Sequence, residues 1–264
     1  MIWRFRLVKE IGSGGMGTVY HVQRTTDGRH LAAKVLRGGV VDRTALGRFA
    51  REARVLRSWS HENVVAVHDF VELEHILAIV MEHIEGQSLR ARLDEAPLPL
   101  DEVIEIGSRV ATALHDLHKQ HVVHLDIKPS NIMFRDDGTA VLVDFGLSRH
   151  DLLPDLLDEE FELPMGTGPY MSPEQVQFVR NDPRSDLFAL GVLMYHLATG
   201  ERPFGSPSTV RGLRQRLYRE PVPPRVLRAD IPPWLQELIL RCLEVKPEKR
   251  HQSAAQLAFE LQHP

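Results

Sequence analysis

The sequence predicts an α+β fold in two lobes, a small β-rich one and a larger, mainly helical one. Three observations carry the prediction. Before about residue 82, apolar residues gather in short β-rich runs set apart by turn signals. After Gly86 they recur at helical spacing instead. Between the two regimes, Glu82–Gly86 reads as a short connector. The expected boundaries are 1–81 for the small lobe, 82–86 for the connector and 87–264 for the larger lobe, together one domain.

In chain order, "RFRLVKEIG", "GTVYHVQRTT", "HLAAKVL" and "HILAIVME" read as strands, with Asp27-Gly28 and Gly38-Gly39 as turns. One helix, about Thr44 to Arg57, interrupts them and sets Phe49, Ala53 and Leu56 on one face. Past the connector, Val103, Ile106, Val110, Ala113, Leu114 and Leu117 make an apolar stripe at helical spacing. Further helices are expected at 187–198, 234–243 and 253–262, with prolines such as Pro129, Pro173, Pro203 and Pro221 in the loops between elements.

Bulk properties narrow the class. The 264 residues are 43% apolar, which fills a sizeable core. The net charge is −4 and the basic residues are dispersed, so no nucleic-acid partner is expected. The single cysteine, Cys242, excludes an internal disulfide framework, fits a reducing compartment and reads as a small core residue. "MIWRFRLVKE" is not a signal peptide, and the longest apolar stretch, 187–198, is too short to span a bilayer. A cytoplasmic location is expected, for the protein itself or as the cytoplasmic part of a larger or membrane-anchored one, with no membrane contact from this segment.

Four stretches carry chemistry. "GSGGMGTVY" places Gly12, Gly14 and Gly17 in G-x-G-x-x-G spacing, which lets backbone N–H groups approach phosphate. Alone it could be a hairpin turn or a dinucleotide loop. The strand-like "TVYHVQRTTDG" that follows disfavours the dinucleotide reading, which needs a helix there. Lys34 ends the strand "LAAK", and Glu52 sits on the 44–57 helix beside apolar Phe49 and Ala53. Each alone reads as a solvated charge; paired, they would aim an ammonium at phosphates. Lysine is rare here, only six residues, so Lys34 and Lys128 at motif positions carry extra weight. "HLDIKPSN" supplies Asp126, Lys128 and Asn131, and "LVDFG" supplies Asp144. An amide and a carboxylate so placed suit Mg²⁺ shared with nucleotide phosphates. His115, His118, His121 and His124 cluster in sequence but read as packing or surface residues rather than zinc ligands, with no cysteine near them.

In order and spacing these motifs resemble the eukaryotic-type Ser/Thr protein kinases, and the wording of "GSGGMGTVY" and "GTGPYMSPE" is most similar to bacterial members. The resemblance runs from about Trp3 to His263 and implies the bilobal protein-kinase fold with ATP in the cleft. By that resemblance Gly12, Gly14 and Gly17 cover the phosphates, Lys34 holds them, and Glu52 is its helix partner. Asp126 is the catalytic base, Lys128 stands near the transferred phosphoryl, and Asn131 and Asp144 are ligands of Mg²⁺, or of Mn²⁺ in its place. Ile11, Val19, Ala32, Met81 and Met133 line the adenine, with Met81 as gatekeeper, while Glu82 and Ile84 bond the base through their backbones. Glu174 of "MSPE", where Ala-Pro-Glu is commoner, pairs with Arg250, and Asp186 ties its helix to the catalytic loop. Lys128 with Thr167 resembles the Ser/Thr rather than the tyrosine type, so ATP and Ser/Thr-bearing proteins are the implied substrates.

Two rival functions share the fold. A pseudokinase scaffold predicts loss of Lys34, Asp126 or Asp144, and all three are present. A small-molecule phosphotransferase of similar fold typically lacks the segment ending in Pro-Glu, which is intact here.

One departure stands out. The family usually has His-Arg-Asp where this chain has His124-Leu125-Asp126. In relatives the arginine grips a phosphate on the activation segment. Here no Ser, Thr or Tyr lies between Ser148 and Thr167, so both halves of that switch are missing. The expectation is an enzyme not switched by phosphorylation of this segment, with Asp158, Glu159, Glu160 or Glu162 pairing with Arg149 or Arg48 instead.

Overall fold

The computed structural model describes residues 4–14, 17–35, 60–73, 76–93, 97–145, 147–150 and 166–264. The helix expected at 44–57, with Arg48 and Glu52, lies outside them, as do Asp158, Glu159, Glu160 and Glu162.

Strands β1 (Phe5–Gly14), β2 (Gly17–Arg24), β3 (His30–Val35), β4 (Val67–Leu73) and β5 (Ile76–Glu82) form one antiparallel sheet in the order β1-β2-β3-β5-β4. Four of these match the expected runs; β4 was not anticipated. Its sequence, "VHDFVEL", breaks the alternation of an ordinary half-buried strand, and among the described residues it pairs only with β5. A strand of that kind is specified by its partner's ladder more than by its own residues. The register sorts side chains onto two faces. Val19 lies opposite Lys34, and Ala32 opposite Met81, so these share one face. Phe5, Val22, Leu31, Ala33 and Val80 form a separate buried cluster on the other.

The second part is helical. Helix α1 (Leu89–Leu93) follows the connector and α2 (Leu100–Lys119) buries the whole predicted stripe, Val103 to Leu117. Strands β6 (Val122–Val123), β7 (Ile132–Phe134), β8 (Ala140–Leu142) and β9 (Arg149–His150) pair as β6 with β9 and β7 with β8. Beyond them come α3 (Pro173–Val176), α4 (Arg184–Thr199), α5 (Val210–Leu213), α6 (Pro224–Leu227), α7 (Pro233–Cys242) and α8 (Ala254–Gln262). Helix α4 buries every residue from Ser185 to Ala198. Each fully buried large apolar side chain contributes ~1.5–3 kcal/mol. Intrinsic propensity contributes no more than ~0.7 kcal/mol per residue, so packing decides this helix. Cys242 is buried and its thiol is pushed up to about 12 by that burial, as suits an inert core residue. No helix among the described residues is long and apolar enough to cross a membrane.

One apolar cluster joins the two parts. It runs from Ala32, Ile79 and Met81 of the sheet through Ile132 and Leu142 to α2, α4, α7 and α8. Where the parts meet, the Leu142 N–H donates to the Asn63 carbonyl at 2.8 Å, and the Val65 N–H to the Leu142 carbonyl at 3.0 Å.

Candidate active site

The loop His124–Asn131 runs between β6 and β7, and α4 holds its start. Fully buried Asp186 accepts the backbone N–H groups of His124 and Leu125, each at 2.8 Å. His118 reaches the same carboxylate at 2.9 Å, so this histidine is a partnered polar residue. The His124 ring packs edge-on against Phe145 with centroids 4.6 Å apart, the packing role expected of it. Burial holds the His124 pKa below its ordinary value, which keeps the ring neutral. Its Nδ1 then accepts the Asp126 N–H at 3.3 Å.

Asp126 is the centre of a polar network. The Thr167 hydroxyl donates to its Oδ1 at 2.8 Å, and Lys128 Nζ donates to its Oδ2 at 2.6 Å. Lys128 Nζ also donates to Thr167 Oγ1 at 2.8 Å, closing a triangle. Asn131 Nδ2 donates to the Asp126 carbonyl at 2.9 Å and to its Oδ2 at 3.0 Å. Those two donations orient a buried amide and leave Oδ1 as its remaining acceptor.

Asp144 follows β8, beside Asn131, because the Val143 N–H donates to the Asn131 carbonyl at 2.9 Å. It takes φ +64, a left-handed conformation Asp tolerates better than most residues. Lys34 Nζ donates to Asp144 Oδ1 at 2.7 Å, which brings the strand lysine to the carboxylate across the seam of the two parts. The lysine side chain is 7% exposed and the carboxylate 43%, so Asp144 keeps access to solvent. An amide oxygen and a carboxylate are hard donors of the kind Mg²⁺ takes, with phosphate and water completing its shell. Among the described residues no group of three or more His, Cys, Asp or Glu forms a cage of its own. Asn131 and Asp144 therefore fit an ion delivered with a polyphosphate.

The remaining predicted residues flank this centre. Val19, Ala32 and Met81 share the sheet face that carries Lys34. Ile84 packs partly buried against the main core cluster, and Met133, on β7, bridges to Ser88. Gly12 pairs with Val19, and Gly14 with Gly17, in the β1–β2 hairpin. Among the described residues a Cβ added at Gly12 would meet nothing within 4 Å, so none of them requires glycine there. Ile11 is 46% exposed. Glu52 lies outside the described residues, and its pairing with Lys34 with it.

The connector shows what sequence reasoning missed. The Glu82 N–H donates to the Ala66 carbonyl at 2.8 Å, so that N–H is already spoken for. Its side chain is held by Arg135 through a bidentate pair at 2.6 and 2.9 Å, and that guanidinium keeps the Glu82 carboxyl below its usual range. A Cβ at Gly86 would fall 1.8 Å from the Phe134 carbonyl oxygen, so the connector needs glycine at its close. His83 of the connector stacks on His21 of β2 with centroids 4.1 Å apart, and His21 Nε2 meets His30 Nδ1 at 2.7 Å. None of this leaves a local signal, since the partners are far apart in sequence.

Away from the centre, Arg250 and Glu174 form the expected pair, at 2.7 and 2.8 Å, and Ser185 also donates to Glu174 at 2.7 Å.

A family model for the protein kinase domain matches residues 5–263, and the chain belongs to that family. It is 34% identical to a probable serine/threonine-protein kinase of Clostridium acetobutylicum, over 98% of this chain and 39% of the relative. It is 39% identical to serine/threonine-protein kinase pkn3 of Myxococcus xanthus, over 98% of this chain and 50% of the relative. Serine/threonine-protein kinase PknB of Mycolicibacterium smegmatis is 34% identical, over 98% of this chain and 42% of its own length. The chain thus spans half or less of the length of these relatives.

Proposed function

We propose that the chain is an ATP-dependent protein kinase domain that transfers the γ-phosphoryl group to Ser and Thr hydroxyls of protein substrates. The observation that carries this reading is the triangle of Asp126, Lys128 and Thr167, with edges of 2.6 to 2.8 Å. Residues 1–264 act as one domain, with lobes at 1–81 and 87–264 about the connector 82–86.

Asp126 accepts or orients the proton of the acceptor hydroxyl, and the donors around it keep its carboxylate aimed. Thr167 already donates to Asp126 Oδ1 as an incoming Ser or Thr hydroxyl would. Lys128 stands between the two and neutralises charge on the phosphoryl group in flight. Lys34 grips the α- and β-phosphates, with Glu52 as its helix partner, beneath the hairpin of Gly12, Gly14 and Gly17. Asn131 and Asp144 hold Mg²⁺, which when bound screens the triphosphate's charge. The adenine lies among Ile11, Val19, Ala32, Met81 and Met133, against the Glu82 carbonyl and the Ile84 backbone. Positioning and electrostatics supply nearly all of the rate.

The chain also works without a phosphorylation switch on its activation segment. Leu125 is 4% exposed and apolar, so it offers no cation to a phosphate. Acidic residues of the segment take the phosphate's place by pairing with Arg149 or Arg48. A single cysteine, buried and reduced, suits a cytoplasmic setting.

Incubation with Mg-ATP and a mixture of Ser, Thr and Tyr peptides, followed by phosphosite mapping, tests the reading. Phosphoserine and phosphothreonine are expected, with phosphotyrosine at trace level. Dominant phosphotyrosine, or no transfer, overturns it. Phosphatase treatment beforehand should leave the rate unchanged.

A further inference from the structure

Arg216 is one of the largest fully buried side chains of the protein, at 0% exposure. It lies on the short turn Arg214–Leu217 that follows α5. Among the described residues its hydrogen bonds all go to backbone carbonyls: Nη2 to Gly168 at 2.7 Å, Nη1 to Met171, and Nε to Leu213 at 3.0 Å. Among the described residues no carboxylate pairs with it. Its guanidinium carbon stands 5.7 Å from the centre of the Phe204 ring. Burial lowers its pKa to about 10, which leaves it cationic at neutral pH.

A buried cation without a counter-ion is costly, and an apolar residue of similar volume would fill the space more cheaply. The three carbonyls show what the guanidinium holds. Gly168 opens the turn Gly168–Tyr170, Met171 follows it, and Thr167 caps it. Thr167 is the residue that donates to Asp126 and accepts from Lys128. The turn also packs on the end of α5, just before the arginine's turn, since a Cβ at Gly168 would lie 3.3 Å from Leu213 Cδ2. At its far end the Tyr170 hydroxyl meets His196 Nδ1 at 2.8 Å, while Arg216 holds the carbonyl of Gly168, next to Thr167.

We propose that Arg216 is a positioning residue for the acceptor side of the site: by gripping the Gly168 and Met171 carbonyls it fixes Thr167 against Asp126 and Lys128. The inference rests on the protein-kinase reading above. It gives this chain, with Leu125 in the loop and no hydroxyl residue between Ser148 and Thr167, a built-in cation that holds the end of the segment without a phosphate. The grip acts on the phosphoryl acceptor and leaves the nucleotide side alone, because Lys34, Asp144 and Asn131 make none of these contacts.

The test is Arg216→Met, which keeps most of the apolar stem and removes all the donors, beside Arg216→Lys, which keeps the charge and can reach one carbonyl. In Arg216→Met, transfer efficiency to a Ser/Thr peptide should fall about tenfold to a hundredfold, since small misplacements of reacting groups cost that much. The Kd for Mg-ATP should stay at the wild-type value. Hydrogen exchange at amides 168–172 should quicken, and Arg216→Lys should show the same split at smaller size. Unchanged peptide transfer in a folded Arg216→Met protein overturns the inference. So does a parallel loss of ATP affinity, which marks a general packing role. If Arg216→Met does not fold, Arg216→Lys decides on the same criteria. If the wild type phosphorylates no peptide, the kinase reading fails, and exchange at 168–172 alone then decides whether Arg216 anchors the turn.

Discussion

Asp186 Oδ1 accepts the backbone N–H of Leu125 at 2.8 Å, and it does so while Leu125 sits at φ +65. A left-handed conformation costs a non-glycine residue ~1–2 kcal/mol. Both backbone groups of Leu125 are pinned, because Gln175 Nε2 donates to its carbonyl at 2.9 Å. Strain of this kind persists where the surroundings over-determine it, and here it aims the next residue, Asp126. The work done at position 125 is backbone work, open to leucine as to arginine. What leucine gives up is the charge, and with it any grip on a phosphate.

Asp186→Ala should therefore harm both stability and activity. It strands two buried N–H groups, each costing ~1–3 kcal/mol. Urea unfolding should show a lower midpoint, and phosphoryl transfer should fall with it, as the strained loop loses its anchor. Asp186→Asn, which keeps an acceptor oxygen, should lie between. A wild-type midpoint in Asp186→Ala would remove the anchoring role.

Asp126→Asn and Asp144→Asn should both abolish transfer in practice, but for different reasons. Loss of a general base costs ~10²–10⁴-fold in rate. Asp126→Asn should still bind Mg-ATP, because its contacts are with Lys128, Thr167 and Asn131. Asp144→Asn should also weaken Mg-dependent nucleotide binding. Titration with a fluorescent nucleotide, beside a transfer assay, separates the two. Transfer within tenfold of wild type in either variant contradicts the assigned roles.

Arg250→Met should be among the most destabilising single changes. The Arg250 side chain is 0% exposed and Glu174 9%, and the substitution leaves a buried carboxylate without its cation. Breaking a buried pair from one side costs ~3–5 kcal/mol. The double variant Arg250→Met with Glu174→Gln should recover part of the loss. With Glu174→Gln measured alone, a double variant whose loss in urea titrations equals the sum of the two single losses would show that the pair carries no coupling.

Mild acid should destabilise the protein. His21, His68, His83, His124 and His251 all have pKa values below the ordinary 6.5, with burial the first cause in each. For His21 the neighbours His83, His30 and Lys9 add to the lowering and Glu85 opposes it. Above about 6.5 these rings are neutral in both folded and unfolded chains. As pH falls below that, the unfolded chain takes up protons the folded chain resists, so stability is lost through the depressed folded values. Melting curves from neutral to mildly acidic pH should show this decline, and His83→Phe, which keeps the stack on His21, should flatten it. An unaltered slope would clear the His21–His83 pair of a part in it.

Much of the site was legible in the sequence because its parts are short, ordered and locally constrained. Asp126, Lys128 and Asn131 fall within one loop, where spacing alone brings them close. The pairings Glu174–Arg250 and Asp186 with the loop were expected from the family resemblance and are present. By contrast, β4 gave no reliable signal, since an edge strand with His68, Asp69 and Glu72 depends on β5 for its pairing. Arg135, buried Arg216 and the His21–His83 stack were also silent. Each looks like an ordinary polar residue until a distant segment folds against it.

Composition and periodicity by themselves determined the α+β class, and motif order picked out Asp126, Lys128 and Asn131 within one loop. These depend on interactions within a few residues or on a period that repeats along one element. Tertiary structure alone decided that Lys34 reaches Asp144, that Glu82 spends its N–H on Ala66, and that a guanidinium buried near α5 grips the turn beside Thr167. Those contacts join residues up to 110 positions apart. They exist because burial makes each unpaired donor or charge costly, so the fold selects partners by proximity in space, which no local pattern encodes.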